Sequence, residues 1–123
     1  MYLLDSNIII YYADKKYDCL DAIFEQEALY VSEITRLEVL GYHRIGNLKS
    51  LFEQLFAEFT ILPINKAVID SAILIRQQKS MSLDDSIIYA TALQNDLMII
   101  TRNTKDFDKL GNVQVHNPFE SKD

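Results

Sequence analysis

Four acidic residues lie in apolar surroundings along the chain, and their type limits the chemistry that they can support. They are Asp5, Glu38, Asp85 and Asp106. A carboxylate is costly to bury unless a cation or hydrogen-bond donors accompany it. Oxygen-rich clusters without sulfur suit Mg²⁺ or Mn²⁺ rather than Zn²⁺. These acids therefore indicate a site for a hard divalent cation, provided that the fold brings them together.

Two of the acids belong to the N-terminal half of the chain. Asp5 directly follows residues 2–4, a short apolar run that predicts a buried strand. Glu38 shares the predicted inward side of a helix with Ile34 and Leu37. Two alternatives stay open: a helix N-cap for Asp5, and for Glu38 a boundary position paired with a nearby arginine.

The other two acids belong to the C-terminal half. Asp85 opens the segment 85–92, which predicts a helix, and Asp106 follows a predicted strand. Ser82 lies three residues before Asp85, so a capping box is the alternative at that position. Asp84 competes with Asp85 for any functional role. For Asp106 the alternative is again a helix cap.

Short apolar strands alternate with helices along the whole sequence. The strands show no apolar–polar alternation, which is typical of a parallel sheet covered on both faces. We therefore predict an α/β fold with three layers, α/β/α, around a short five-stranded parallel sheet. In such sheets ligands collect at the carboxyl ends of the strands, near the point where the strand order reverses. The strands are predicted at residues 2–4, 29–31, 60–64, 97–101 and 113–115.

The helices follow from apolar stripes and from capping residues. Ser32, Asn47, Asn65 and Ser82 are the predicted N-caps. Helices are predicted at residues 7–12, 18–26, 32–43, from 47 onward, 65–79, 82–95 and 104–110.

Size and composition fit one folded unit. The chain has 123 residues, of which 49% are hydrophobic, and this is enough for a core of its own. We predict a single domain over residues 1–119 and a frayed tail at 120–123. The net charge of −6 argues against a nucleic-acid ligand when taken alone. Bound divalent cations would reverse the local charge where phosphates would lie.

The cysteine content and the N-terminus bear on location. Cys19 is the single cysteine, which excludes an internal disulfide and fits a reducing cytoplasm. We expect its side chain to be buried. The N-terminus lacks the basic segment of a signal peptide, and no apolar run approaches the roughly 18 residues of a membrane span. A cytoplasmic location without membrane contact is the resulting expectation.

Four segments resemble, in order and spacing, the motifs of the PIN-domain family. Leu3-Leu4-Asp5-Ser6-Asn7 resembles the first motif, and Thr35-Arg-Leu-Glu38 resembles the second, a helix with an inward Glu. Residues 83–92 are similar to the third motif, which favours the second acid of the Asp84-Asp85 pair. Residues 100–107 resemble the fourth. Size and motif order are most similar to the VapC-like toxins of bacterial toxin–antitoxin pairs.

The resemblance implies a Mg²⁺- or Mn²⁺-dependent endoribonuclease that hydrolyses RNA phosphodiesters. It assigns catalysis and metal binding to Asp5, Glu38, Asp85 and Asp106. Many members carry Asp at the position of Asn103, so the fourth ligand is either Asn103 or Asp106. The residues expected to orient these ligands through hydrogen bonds are Ser6, Asn7, Thr101 and Asn103. The cations expected to contact RNA phosphates are Arg36, Arg102 and Lys105.

The resemblance also implies protein partners. VapC-like proteins form homodimers, and a small antitoxin covers the acidic pocket with a basic side chain. An apolar helix stripe is available for the antitoxin, although burial of that stripe within the domain or in a homodimer is an equal alternative. The stripe consists of Leu48, Leu51, Phe52, Leu55 and Phe56.

Two other functions stay open from the residues alone. One is a metal-dependent phosphatase or phosphotransfer domain, in which a strand-end aspartate accepts the phosphoryl group. The other is a non-catalytic interaction module whose acids are helix caps or protein contacts. A metal titration would separate the second from any metal-dependent enzyme.

Overall fold

The structure is a computed structural model that describes residues 1–15, 17–25, 28–108 and 110–120. The expected frayed tail lies outside these residues from position 121 onward. The last residue of the helix predicted at 18–26 also lies outside them, as does position 109 of the helix predicted at 104–110.

The sheet has five parallel strands in the order β3-β2-β1-β4-β5. The first three strands extend the sheet in one direction from β1, and β4 then pairs with its other side. The strand order therefore reverses between β1 and β4, which is where α/β sheets bind ligands. The strands are β1 (Tyr2–Leu4), β2 (Leu29–Ser32), β3 (Thr60–Leu62), β4 (Met98–Ile100) and β5 (Val115–His116).

Helices cover both faces of this sheet. The helices are α1 (Ser6–Asp14), α2 (Asp21–Phe24), α3 (Glu33–Leu40), α4 (Lys49–Glu58), α5 (Lys66–Gln78), α6 (Leu83–Asn95) and α7 (Thr104–Phe107), with 3-10 turns at Asp18–Leu20 and Gly46–Leu48.

Two apolar cores hold the layers together, one on each face. Leu3 and Ile99 pack with α5 and α6, whereas Leu4 and Ile100 pack with α1 and α4. Successive residues of a strand point to opposite faces, so each short strand contributes to both cores. The predicted three-layer α/β/α fold with a five-stranded parallel sheet is confirmed.

The largest differences from the predicted elements lie between β2 and α4. Helix α3 ends at Leu40 with Gly41 as its C-cap, short of residue 43. The next residues, 42–44, are exposed and offer no apolar side that could continue the helix. Asn47 does not cap α4, because Gly46–Leu48 form a 3-10 turn and Leu48 occupies the N-cap position without a side-chain bond.

Two burial predictions were wrong. Cys19 is exposed in the 3-10 turn before α2. Leu37 is 67% exposed, because the buried residues of the eight-residue helix α3 are Thr35 and Val39.

Within the described residues, every helix is too short or too polar to cross a membrane.

Candidate active site

Asp5 lies at the carboxyl end of β1 and is the N-cap of α1. Its backbone is extended, and its Oδ1 accepts a hydrogen bond from the Ser6 backbone N–H at 2.8 Å. The N-cap alternative is therefore correct, but it uses only one carboxylate oxygen. The other, Oδ2, accepts a hydrogen bond from the hydroxyl of Thr101 at 2.8 Å. Asp5 is only 7% exposed, so these two donors help to offset the loss of water around its charge.

Thr101 holds Asp5 from the end of β4. It is fully buried, and its backbone N–H donates to the His116 carbonyl oxygen at 3.0 Å. Its Oγ1 donates to Asp5 and accepts from the Asn103 backbone N–H at 3.0 Å. The hydroxyl is thus oriented by one acceptor and one donor, and it fixes the direction of the Asp5 carboxylate.

Ser6 links α1 to the acid on α3. Its hydroxyl donates to Oε1 of Glu38 at 2.9 Å. Glu38 itself is exposed rather than inward, so the predicted inward side of α3 was wrong for Glu38 as well as for Leu37. The hydrogen bond from buried Ser6 nevertheless brings the Glu38 carboxylate to the edge of the sheet where Asp5 lies.

Ser82 caps α6 and orders the two acids in its first turn. Ser82 Oγ accepts a hydrogen bond from the Asp85 backbone N–H at 3.2 Å and donates to Oδ1 of Asp84 at 2.8 Å. The cap is therefore made by the serine, and it does not require the Asp85 carboxylate. Asp84 also shares a hydrogen bond with Glu38, which sequence reasoning did not foresee.

The pKa values of these carboxyls show that they share one electrostatic environment. Burial raises the pKa of Asp5, and the charges of Asp84 and Asp106 act in the same direction. Burial, the hydrogen bond to Asp84, and the charges of Asp84 and Asp5 raise the pKa of Glu38 to about 7. Burial and the charges of Asp84, Asp5 and Asp106 raise the pKa of Asp85 to about 6. Like charges near one another disfavour ionisation, so part of each rise in pKa comes from the neighbouring acids.

Asp84 differs from its neighbours in the direction of its shift. Burial would raise its pKa, but hydrogen bonds from Glu38 and Ser82 offset this effect and lower the pKa of Asp84. The interaction between these two side chains therefore acts in opposite directions: it raises the pKa of Glu38 and lowers that of Asp84.

The chemical type of the atoms at this site suits a hard divalent cation. They are carboxylate oxygens, and a cation among them would relieve the repulsion that raises their pKa values. As the side chains stand, no three or more His, Cys, Asp or Glu of the described ranges lie close enough together to hold an ion. Binding would therefore require the carboxylates to close around the cation.

A comparison with protein families assigns the chain to one of them. The family model for the PIN domain matches residues 2–113, a range that includes all four predicted acids. The chain belongs to the PIN-domain family. The resemblance of the four sequence motifs to this family is thereby confirmed.

Solved structures agree with this assignment over the whole chain. A toxin–antitoxin complex from Klebsiella pneumoniae contains a chain with 28% identity and a TM-score of 0.84, and the match covers 98% of this PIN domain and 100% of that chain. FitAcB from Neisseria gonorrhoeae has 27% identity and a TM-score of 0.79, covering 98% and 100%. VapBC2 from Rickettsia felis, bound to a DNA fragment from its promoter, shares the fold at 18% identity, with a TM-score of 0.76 and coverage of 94% and 97%. A comparison with curated proteins gave no match.

The remaining residues of the PIN domain that were predicted to orient ligands or to contact RNA differ in what they contact. Asn7 is exposed in the first turn of α1, and Asn103 reaches the site through its backbone bond to Thr101. Arg36 pairs with Glu33 on the exposed side of α3. The alternative in which a nearby arginine pairs with Glu38 therefore does not hold for Arg36, because Arg36 pairs with Glu33.

Asp106 and Lys105 lie on α7, beyond the carboxyl end of β4. Both are exposed. Asp106 influences the pKa values of Asp5 and Asp85 through its charge, so it belongs to the same acidic field. The Asn103 backbone N–H already donates to Thr101, and the choice between Asn103 and Asp106 as fourth ligand stays a prediction.

Sequence reasoning missed the surroundings of Arg102. Its guanidinium lies over the rings of Tyr11, Tyr17 and Phe119. These rings come from three distant parts of the chain, and no local spacing connects them. The sequence hints at such a cluster only through its aromatic content of 7 Tyr and 6 Phe.

Proposed function

We propose that this PIN domain is a Mg²⁺- or Mn²⁺-dependent endoribonuclease, and that it is the toxin of a VapBC-type toxin–antitoxin pair in the cytoplasm. One observation carries the nuclease proposal for this member of the PIN-domain family: hydrogen bonds from Thr101 and Ser6 hold the carboxylates of Asp5 and Glu38 where the strand order reverses between β1 and β4. The toxin proposal is supported by neighbours at 27–28% identity, one of them in a toxin–antitoxin complex.

The proposed roles follow from the contacts. Asp5, Asp85, Asp106 and Glu38 would hold the cation. When bound, Mg²⁺ or Mn²⁺ supplies Lewis acidity to the scissile phosphodiester and to an attacking water. Thr101 and Ser6 keep the Asp5 and Glu38 carboxylates oriented, because each donates a side-chain hydrogen bond to one of them. Oriented ligands lose less freedom when a cation binds.

RNA would approach the same edge. Arg102 and Lys105 follow β4 directly and are exposed. Arg102 follows Thr101, which bonds to Asp5, and Lys105 precedes Asp106. Their positive charges would offset part of the net charge of −6, which otherwise repels phosphates. Arg36 is a weaker phosphate ligand in this proposal, because Glu33 already neutralises it.

A small antitoxin has a suitable groove beside Glu38. Most of the predicted α4 stripe is used inside the domain, since Phe52 and Phe56 are each 4% exposed, but Leu48 is 50% exposed. It borders an apolar groove of about 340 Å³ whose lining includes Glu38. An apolar helix in this groove with a basic side chain directed at Glu38 would match both features. The groove is lined by Ile10, Glu38, Val39, Tyr42, Arg44, Ile45, Leu48 and Phe52.

A homodimer would use a different surface. Helix α5 exposes Ile69, Ile73 and Leu74 at 40%, 50% and 58%. Ile69 and Ile73 are four residues apart and share one side of the helix. A second copy of the chain covering this side would bury these residues without blocking the acidic edge.

Cleavage of a single-stranded oligoribonucleotide tests the proposed function. The purified protein should cut it with Mg²⁺ or Mn²⁺ and stop on addition of EDTA. Asp5→Asn should abolish cleavage, whereas Asp108→Asn should not, because Asp108 is an exposed acid at the end of α7. Cleavage that persists in EDTA, or an active Asp5→Asn variant, would contradict the proposal.

A further inference from the structure

An aromatic cluster holds Arg102 beside the acidic edge. Cζ of Arg102 lies 4.4 Å from the ring centroid of Phe119, 5.3 Å from that of Tyr11 and 6.0 Å from that of Tyr17. A guanidinium within about 6 Å of a ring centroid is attracted by the negative face of the ring. Three aromatic rings therefore attract the same guanidinium.

The three rings also hold one another. Their centroids are 5.2–5.5 Å apart in every pair, at interplanar angles of 70–80°. Such edge-to-face pairs are favourable beyond the area that they bury. The three rings are half-buried, so they form a preformed surface rather than a loose set of side chains. Each ring comes from a different segment: α1, the residues before the first 3-10 turn, and the C-terminal segment after β5.

The backbone of Arg102 is fixed as well. Thr101, the preceding residue, is bonded through its side chain to Asp5. The Asn117 side-chain amide donates to the Arg102 carbonyl oxygen at 3.3 Å, and Oδ1 of Asn117 accepts from the Phe119 backbone N–H at 2.9 Å. Asn117 therefore ties the segment that carries Phe119 to the residue over which Phe119 packs.

Within the part of the chain that the structure describes, the hydrogen-bond donors of the Arg102 guanidinium are unused. Among the described residues, no carboxylate pairs with Arg102 and no acceptor bonds to its side-chain N–H groups, in contrast to Arg36 on α3. A guanidinium carries five N–H donors and no acceptor. An arginine that is held by rings, with its donors unused and next to the candidate active site, is suited to binding a planar oxyanion such as a phosphate.

We propose that Tyr11, Tyr17 and Phe119 are positioning residues that hold Arg102 ready to bind a phosphate of a single-stranded RNA substrate. This inference rests on the proposed nuclease function. Holding the side chain in advance reduces the rotamer freedom that it loses when the strand binds. The aromatic cluster thus makes the C-terminal segment, through Phe119, part of the substrate site.

Steady-state cleavage of a fluorescein-labelled single-stranded oligoribonucleotide with Mn²⁺ tests this role. Phe119→Leu should raise KM about three- to tenfold, the range expected for loss of a cation–π contact, and change kcat less than about twofold. Phe119→Tyr keeps the ring and should restore the wild-type KM. Phe24→Leu is the matched control, because Phe24 stacks on Tyr12 in the same layer without being one of the rings that hold Arg102.

A double-mutant cycle separates positioning from general packing. Arg102→Gln should reduce the slope of log affinity against log salt by about 0.7, the value for one phosphate contact on a single strand. Adding Phe119→Leu to Arg102→Gln should then have no further effect on KM, because the rings act only through the arginine.

The results distinguish this inference from the function on which it rests. Wild-type protein that neither binds nor cuts RNA would end the proposed function and this role together. RNA cleavage with an unchanged KM in Phe119→Leu would end this role alone. An equal rise of KM in Phe24→Leu, or additive effects of Phe119→Leu and Arg102→Gln, would also overturn it, since either would indicate a packing effect.

Discussion

The Thr101 hydroxyl donates a 2.8 Å hydrogen bond to Oδ2 of Asp5 across 96 residues of sequence. It joins the ends of β1 and β4, the two strands between which the sheet order reverses. The same two ends are joined by the Asp5 backbone N–H, which donates to the Ile100 carbonyl oxygen at 3.0 Å. The position of the Asp5 carboxylate is therefore set by the pairing of two central strands and by one side-chain bond.

Thr101→Val tests that side-chain bond. Valine has nearly the same shape, but it cannot donate to Asp5 or accept from Asn103. We expect Mn²⁺ affinity, measured by calorimetry, to fall about tenfold or more, as for other residues that orient metal ligands. Loss of the donor to the buried Asp5 carboxylate should also cost about 1–3 kcal/mol of stability. Thr101→Ser keeps both bonds and should behave as wild type. A Thr101→Val variant with unchanged affinity would contradict this role.

The raised pKa values predict how metal-free stability depends on pH. In the unfolded chain Glu38 and Asp85 ionise near 4.5 and 3.8, whereas in the folded protein they ionise near 7 and 6. Between these values the folded state binds more protons than the unfolded state, so these groups make stability fall as pH rises. Solvent screening limits the effect at such partly exposed groups. We expect the metal-free Tm to be a few degrees lower at pH 8 than at pH 5.5.

The comparison of variants isolates this contribution. Glu38→Gln and Asp85→Asn should each flatten the fall of Tm with pH, and saturating Mg²⁺ should do the same in the wild type, because a cation stabilises the ionised acids. Asp108→Asn, which changes an exposed acid, should leave the slope as it is. A metal-free wild-type protein whose Tm rises through this range, with no difference in Glu38→Gln, would show that the two acids are not strained by burial and repulsion.

Asp84 and Asp85 should respond differently to replacement. We expect Asp85→Ala to lower ribonuclease activity by at least about a hundredfold, above the range typical of residues that only orient ligands. Asp84→Ala should lose much less, because the Asp84 carboxylate is already engaged by Ser82 and Glu38. Initial cleavage rates at saturating Mn²⁺ provide the measurement. An inactive Asp84→Ala beside an active Asp85→Ala would reverse the assignment of the pair.

The sequence predicted the sheet, the two helical layers and the edge that carries the acids. Short apolar strands that alternate with helices favour a parallel sheet covered on both faces, and Asp5 and Thr101 directly follow two of these strands. The N-caps Ser32, Asn65 and Ser82 were predicted because their side-chain bonds are local. An N-cap can be predicted from the sequence because its side chain bonds to a backbone N–H only two or three residues away.

Contacts made across the fold could not be predicted in the same way. Glu38 reaches the site because Ser6 on another helix donates to it, although the periodicity of α3 alone would have buried Leu37. The Arg102 cluster depends on Phe119, whose position follows from the turn after β5. The family resemblance favoured Asp85 over Asp84, and it gave no sign of the interaction between Asp84 and Glu38, which joins two helices that are distant in the sequence. Such contacts depend on tertiary packing, which residue spacing does not encode.

The proposed antitoxin groove and the proposed dimer face can be tested as reciprocal controls. Leu48 is exposed at the groove beside Glu38, and Ile73 is exposed on α5. A charge at either position would have to be buried by a partner that covers it, and burying an unpaired charge is strongly unfavourable.

We therefore expect Leu48→Glu to weaken binding of the co-expressed antitoxin at least about a hundredfold while the free protein stays dimeric. Ile73→Glu should give monomers that still bind the antitoxin, and both variants should keep ribonuclease activity because neither residue is one of the proposed metal ligands. Size-exclusion chromatography with light scattering measures the first two properties. Antitoxin binding unchanged in Leu48→Glu would exclude the groove, and a dimer that persists in Ile73→Glu would exclude α5.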